Sequence, residues 1–231
     1  MGERMDTKSY DIELLHNVDK EFEAEFYSYS KTLSYPKGAS PFSVDDLLKH
    51  FYIVVDGRIK TYQINFDNAK EQTIFIYKRG DMFDVISLLD EREHEVAYEV
   101  FEDCRVLQLP IEKVRYWIEN NSTFNKLFFP YLAAKMRHVE TLATEISLYD
   151  VKERLMHLLL DNMDPNSTFK YKLLQNLSNS EISKLLGTVR HVVERAIKEL
   201  KQEKIIHASR KNIKVINLQK LLEKTDKMLP K

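Results

Sequence analysis

One cysteine, Cys104, stands in a chain of 231 residues. A disulfide framework within the chain is therefore excluded, and so is a cysteine-ligated zinc or iron–sulfur site in a monomer. The opening residues, MGERMDTKSYDIELL, lack the apolar core of a signal peptide. No apolar run approaches the roughly 20 residues of a membrane span. A soluble cytoplasmic protein without a membrane partner is the expectation. Catalytic signatures are missing too: there is no Walker loop, nucleophile elbow, HExxH or CxxCH. A cupin-type metalloenzyme would need clustered ligands, yet the strand region offers only His50 and His94, with no HxH pair. The sequence is not expected to be that of an enzyme.

What is present begins with a 43% hydrophobic composition, enough to bury a core. Net charge is −1, but it is unevenly spread. From Asp150 onward there are 17 Lys and Arg against 10 Asp and Glu, and before it 18 against 26. An acidic front and a basic back suggest two modules, the second suited to a polyanion.

The texture along the chain agrees. Residues 10–33 have a helical pattern, with Ile12, Leu15, Phe22 and Phe26 apolar. After the turn signal Tyr35-Pro36-Lys37-Gly38 come short β-rich runs: 51–55, 58–66, 72–77, 96–101 and 105–110. Asp56-Gly57, Asp67-Asn68 and Arg79-Gly80-Asp81 are read as turns between them. Short strands at this spacing predict an antiparallel barrel or sandwich. From Ile111 the period becomes helical, and a long helix is predicted over 125–149. On it Phe128, Leu132, Lys135, Val139, Leu142, Ile146 and Tyr149 fall at alternating spacings of three and four. That is a coiled-coil seam with a polar interruption at Lys135, and it predicts a homodimer. Pro130 is expected to set the first turn or two apart.

A further helix, Asp150–Asp161, and a loop, 162–168, lead to LSNSEISKLLGTVRHVVERAIKELKQEKII (177–206). Ser178 and Glu181 fit a capping box. Ile182, Leu185 and Leu186 form the buried side of a short helix, and Gly187 sits where a tight turn needs positive φ. A second helix buries Val189, Val192 or Val193, Ala196, Ile197 and Leu200. It shows Arg190, His191, Glu194, Arg195 and Lys198. Since valine caps poorly, Thr188 is the expected cap. Runs 205–209 and 213–218 flank Arg210-Lys211 as a β-hairpin wing. Helix, turn, helix and wing make a DNA-reading module. The arginine fork can take guanine O6 and N7 together, while Lys198, Arg210, Lys211 and Lys214 suit phosphates. Ser178, Asn179, Ser180 and Thr188 complete the expected DNA-contacting set.

At this point the chain resembles the catabolite activator/FNR (Crp/Fnr) superfamily of bacterial transcription regulators, over nearly its whole length. YPKG with FYIVVDGRIK resembles the first strands of that family's cyclic-nucleotide-binding-type barrel. FIYKRGDMFDVISLLD resembles the segment entering its effector pocket, DVKERL the hinge, and EISKLLGTVRHVVERAIKELKQEKII the helix-turn-helix. The resemblance implies an α+β fold in three parts: an effector-sensing antiparallel β-barrel (1–124), a dimerisation helix (125–149) and a winged helix-turn-helix (150–231). It also implies a homodimer on an inverted repeat of double-stranded DNA, and RNA polymerase as partner if the protein activates.

Departures from the family pattern bear on the effector. Members that bind cyclic AMP carry Gly-Glu early in the pocket segment and Arg-Ser some ten residues on. Those positions read Asp84-Val85 and Glu95-Val96, and Val139 and Glu140 stand where an adenine would be faced. A carboxylate in place of the phosphate-binding cation repels the ligand. Cyclic AMP is therefore not the expected effector. One cysteine excludes an FNR-type iron–sulfur cluster, and Cys104 is read as a buried structural thiol in preference to a redox switch. Haem sensing of carbon monoxide or nitric oxide stays open, with His50, His94 and His138 as candidate ligands. So does a sensor module acting through protein partners. Many relatives carry Glu where His191 stands, so the base read there is expected to differ.

Overall fold

The computed structural model describes residues 15, 18–68, 70–163, 177–209 and 211–226. Arg210, most of the 162–168 loop and the start of the 10–33 segment lie outside them. Contacts divide the chain into two compact units. One joins the residues up to Thr61 with Phe75–His138, the other Tyr62–Ile74 with Val139 onward.

The first unit is built on strands with two buried faces. Its elements are α1 (Lys20–Tyr29), β1 (Lys31–Tyr35), α2 (Val44–Lys49), β2 (His50–Asn65), β3 (Lys70–Tyr77), β4 (Met82–Phe83), α3 (Val85–Asp90), β5 (Ala97–Pro110), α4 (Ile111–Asn120) and the first part of α5 (Ser122–Leu148). The sheet order is β1-β5-β2-β3, with β4 pairing β2. Alternation sends Phe51, Ile53 and Val55 into one core with Phe22, Phe26, Trp117, Phe124 and Phe128. Tyr52 and Val54 enter another core with Tyr77, Phe83, Tyr98 and Val106. A large apolar side chain buried this way contributes about 1.5–3 kcal/mol.

Several expectations are corrected here. The helix over 10–33 stops at Tyr29, because Lys31–Tyr35 pairs antiparallel with β5, Lys31 opposite Gln108 and Tyr35 opposite Cys104. Asp19 caps α1, accepting from the Phe22 amide at 2.7 Å. Asp56-Gly57 is not a chain reversal. Runs 51–55 and 58–66 are one strand, β2, kinked at Gly57 with φ 75°. A Cβ at Gly57 would lie 2.1 Å from the Asp103 carbonyl oxygen of β5, so glycine is needed for the close approach. Runs 96–101 and 105–110 likewise form one strand. Pro130 does not divide the long helix. It removes only the amide that would serve the Lys126 carbonyl, while Phe124 and Phe128 anchor the turns before it in the core.

Three residues of the expected seam are engaged within the chain itself. Phe128 is fully enclosed and presents nothing to a partner. Lys135 Nζ pairs with Asp81 Oδ1 at 2.9 Å, amid the rings of Phe75, Tyr77 and Tyr131. Tyr149 lies beyond α5 and packs edge-on against His157. The exposed apolar residues along the same helix include Phe129 (53% exposed), Met136 (61%), Val139 (46%), Ala143 and Ile146 (47%), while Leu132 is half-buried against the core. Phe129 and Met136 are thus exposed where Phe128 and Lys135 are not.

The second unit continues from α5 through α6 (Val151–Asp161), α7 (Asn179–Leu185), α8 (Arg190–Gln202), β6 (Ile206–Ser209), β7 (Asn212–Val215) and α9 (Leu218–Asp226). Asp150 and Glu153 form a capping box on α6. The wing's second strand ends at Val215 rather than Leu218, where α9 begins and buries Leu221. Glu203 ties three helices together: Lys152 Nζ lies 2.6 Å from Oε1 and Lys224 Nζ 2.7 Å from Oε2, while Lys220 donates to its carbonyl. The hydrogen bond from Lys152, then that from Lys224, holds the Glu203 carboxyl below the ordinary glutamate range. A depressed carboxyl stabilises the fold above the ordinary value, about 4.3, and loses that contribution as pH falls through its own lower value. Thermal melts should show Glu203→Gln about 1 kcal/mol less stable than wild type near neutrality, with the gap narrowing below pH ~4. A pH-independent gap would remove the assignment. Among the described residues no helix is long and apolar enough to cross a membrane.

Candidate nucleic-acid interface

The helix-turn-helix forms from local signals. Ser178 caps α7: the Glu181 amide donates to Ser178 Oγ at 3.2 Å, and the Ser178 amide donates to Glu181 Oε2 at 2.7 Å. Ile182 and Leu186 are buried, and Gly187 takes φ 58° at the turn. On α8, Val193, Ala196, Ile197 and Leu200 are buried at helical spacing. Val189 is exposed, contrary to expectation, and it is also the N-cap. Thr188 does not cap; its amide donates to the Ser183 carbonyl at 2.9 Å. Among the described residues no side chain caps α8, so the partial positive charge of its first turn is open to an outside acceptor such as a phosphate oxygen.

The outward face of α8 carries His191, Arg195 and Lys198 at positions i, i+4 and i+7, all exposed. Arg190 is less free than the sequence suggests. Its Nε lies 2.7 Å from Glu194 Oε1, and that hydrogen bond chiefly lowers the Glu194 carboxyl, with Asn179 and His191 assisting. Ser180 is exposed beside Asn179 at the head of α7. The wing pairs Ile206 with Val215 and Ser209 with Asn212, and Lys211 turns it at φ 57°. Between α7, α8 and the wing lies a concavity of about 530 Å³, whose lining includes Ser178, Asn179, Arg190, Lys201, Ser209 and Lys211. Lys201 was missed in the sequence. Its signal was the eleven-residue spacing from Arg190, which returns to the same helical face. Chemically the surface offers cations and hydroxyls at groove scale, with one carboxylate held by an arginine. The tip of the β2–β3 hairpin belongs to this unit. Glu71 Oε2 lies 2.7 Å from Lys184 Nζ, and Gln72 Nε2 donates to the Leu185 carbonyl.

The residues expected at the effector site separate. Asp84 is buried, and its Oδ1 lies 2.7 Å from His94 Nδ1. Val96 packs on the aromatic core with Tyr98. Val85 does not join them: it turns into the opposite core with Trp117, because it is the first residue of α3 and follows a left-handed Asp84. Glu95 and Glu140 are exposed. Of the histidines considered for haem, His94 is held by Asp84, and the His138 ring lies 5.0 Å from that of Phe75. Cys104 is buried. Burial first, then the charges of Asp103 and Asp56, pushes its thiol up to about 11, which disfavours the reactive thiolate.

Comparison with known proteins bears on both units. The cyclic nucleotide-binding domain family matches residues 32–121, and the Crp-like helix-turn-helix domain family matches 153–224. The cyclic AMP receptor protein of Thermus thermophilus is 25% identical over 197 residues, covering 84% of this chain and 87% of its own. The global nitrogen regulator of a Nostoc species is 22% identical over 196 residues, covering 83% and 84%. In fold, the chain is similar to the c-di-GMP responsive global regulator CLP of Xanthomonas campestris, with a TM-score of 0.72 at 18% identity, covering 86% of this chain and all of that one. A CooA mutant from Carboxydothermus hydrogenoformans gives 0.69 at 21%, covering 86% and 88%. The α+β fold with its two matched modules defines the protein: the chain belongs to the Crp/Fnr superfamily, as a transcription regulator with an effector-binding domain and a DNA-binding helix-turn-helix.

Proposed function

We propose that the protein is a homodimeric regulator that reads an inverted repeat in double-stranded DNA under the control of an effector other than cyclic AMP. Residues 1–124 serve as the sensing domain, 125–149 as the dimerisation helix and 150–231 as the reading domain. The observation that carries the reading is the exposed row His191, Arg195 and Lys198 on an α8 that is buried on its other side. Ser180, Asn179, Arg190, Lys201 and Lys211 flank it and suit phosphates. The stripe Phe129, Leu132, Met136, Val139, Ala143 and Ile146 supports dimerisation through α5. Two recognition helices about one helical turn of DNA apart, ~34 Å, would then meet successive major grooves. RNA polymerase is the further partner if the protein activates.

Selection from a random duplex pool with purified protein tests the reading. An enriched inverted repeat supports it, and enrichment of no sequence with or without cell extract refutes it. Arg195→Ala is expected to weaken the selected site by about 1–3 kcal/mol, roughly 5- to 150-fold, and to relax one base position in each half. Uniform weakening at every position would reassign Arg195 to phosphate. Cyclic AMP is expected to give no saturable heat in calorimetry, since Glu95, at the position of the family's phosphate-binding arginine, is an exposed carboxylate and supplies no cation.

A further inference from the structure

Asp84 is used in an unusual way. It stands at the head of α3, where an aspartate ordinarily accepts from the helix amides, yet it makes no capping bond. Its backbone is left-handed at φ 58°, a conformation that strains a non-glycine residue. The strain turns the carboxylate away from its helix and into the protein, where the residue is 5% exposed. Oδ1 meets His94 Nδ1 at 2.7 Å, while Oδ2 has no hydrogen-bond partner among the described residues.

Two other buried polar groups, one beside it and one on α3, likewise have no hydrogen-bond partner among the described residues. Tyr98 Oη is one: burial, then the Asp84 charge, holds its proton on, yet the hydroxyl stays outside hydrogen-bonding geometry with that carboxylate. Ser87 Oγ, one turn along α3, is the other. Around Tyr98 stand the rings of Phe42 and Phe83, with centroids 5.7 Å and 6.0 Å away. The other buried carboxylate of this segment, Asp81, already has Lys135, and Glu95 points outward. His94 is thus the basic side chain that meets Asp84. It sits on the non-helical, non-strand segment 91–96 and is partly exposed.

A buried carboxylate is costly unless paired, and a half-satisfied one is costlier than a filled one. Aromatic faces beside a carboxylate favour a cation over an anion. We propose that the effector is a small organic cation with N–H donors, an ammonium, amidinium or guanidinium, that takes the Asp84 carboxylate in exchange for His94. Tyr98 Oη and Ser87 Oγ supply the remaining hydrogen bonds. His94 is the internal occupant of the site, and its release frees segment 91–96. This inference rests on the effector-controlled regulator proposed above and names the chemistry of its ligand.

The test uses the full chain with agmatine and histamine as probes and cyclic AMP as the anionic counterpart. Saturable binding of at least one amine, below about 1 mM, is expected by calorimetry. One histidine ring resonance should shift on binding, the one absent from His94→Ala. Asp84→Asn should weaken binding at least tenfold, while His94→Ala, which removes the competing occupant, should tighten it. Neither amine saturating by 10 mM, or equal affinity in wild type and Asp84→Asn, overturns the inference. The same preparations are put through the duplex selection. A protein that selects an inverted repeat but ignores both amines loses this inference and keeps the regulator; one that binds an amine but selects no repeat does the opposite.

Discussion

Glutamate at both Val139 and Ile146 is expected to leave a well-folded monomer that binds its inverted repeat at least 100-fold more weakly than wild type. Both side chains are nearly half exposed in the single chain, so their replacement removes little packing, and stability should change by no more than about 0.5 kcal/mol per site. In a dimer the same positions meet their symmetry mates, where four carboxylates repel across an apolar seam. Losing the dimer uncouples the half-sites. The second half-site then no longer benefits from the high effective concentration that tethering supplies, worth on the order of 10²–10⁴ in affinity. Sedimentation velocity reads the first effect and titration of the selected duplex the second. Cysteines test the register independently. Met136→Cys is expected to cross-link two copies under mild oxidation, whereas Lys135→Cys, whose parent side chain is turned to Asp81, is not. Cross-linking at 135 and not at 136 would restore the register read from sequence periodicity.

The second large effect is on stability. Gly57→Ala is expected to cost about 3 kcal/mol or more, lowering the melting temperature by roughly 6–12 °C. Two terms add. The backbone is at φ 75°, which strains any residue with a Cβ. The added methyl would also sit 2.1 Å from the Asp103 carbonyl oxygen and 2.7 Å from Cys104 Cα, both backbone atoms that cannot swing aside. Gly80→Ala separates the terms: it has φ 85° but nothing within 4 Å of the new carbon. Strain alone predicts a cost of about 1 kcal/mol there. Equal losses at the two sites would show that the close approach of β2 and β5 contributes nothing. The single thiol remains buried beside this contact, so its accelerated labelling in Gly57→Ala would report the same opening.

The reading half was legible because its signals are local. Ser178 and Glu181 cap across three residues, Gly187 needs its own φ, and Val193, Ala196, Ile197 and Leu200 repeat with the helix. Each is decided within one or two turns of chain. The same holds for the Asp150–Glu153 cap and for the wing, where a tight turn joins adjacent strands. Motif resemblance then supplied the family, which no single spacing could have done.

The misreadings share a different cause: each depended on partners far along the chain. Asp56-Gly57 has the composition of a hairpin turn, and only the approach of Asp103 makes it a kink in a continuous strand. Phe128 and Phe129 are adjacent aromatics with equal claim to the seam, and the core of Phe22, Phe26 and Trp117 takes Phe128 inward. Glu95 and Val85 fell at family pocket positions, while the fold turns one to solvent and the other into the opposite core. Asp84 was singled out for its charge, but its pairing with His94, ten positions on, could not be read from the stretch between them. The sequence by itself determined the two kinds of module and the helix-turn-helix, because composition and helical period are properties of short stretches. Which face of α5 is outward, where the strands bend and which groups meet Asp84 were decided by the tertiary structure, because side-chain burial is set by whatever distant segment arrives to cover it.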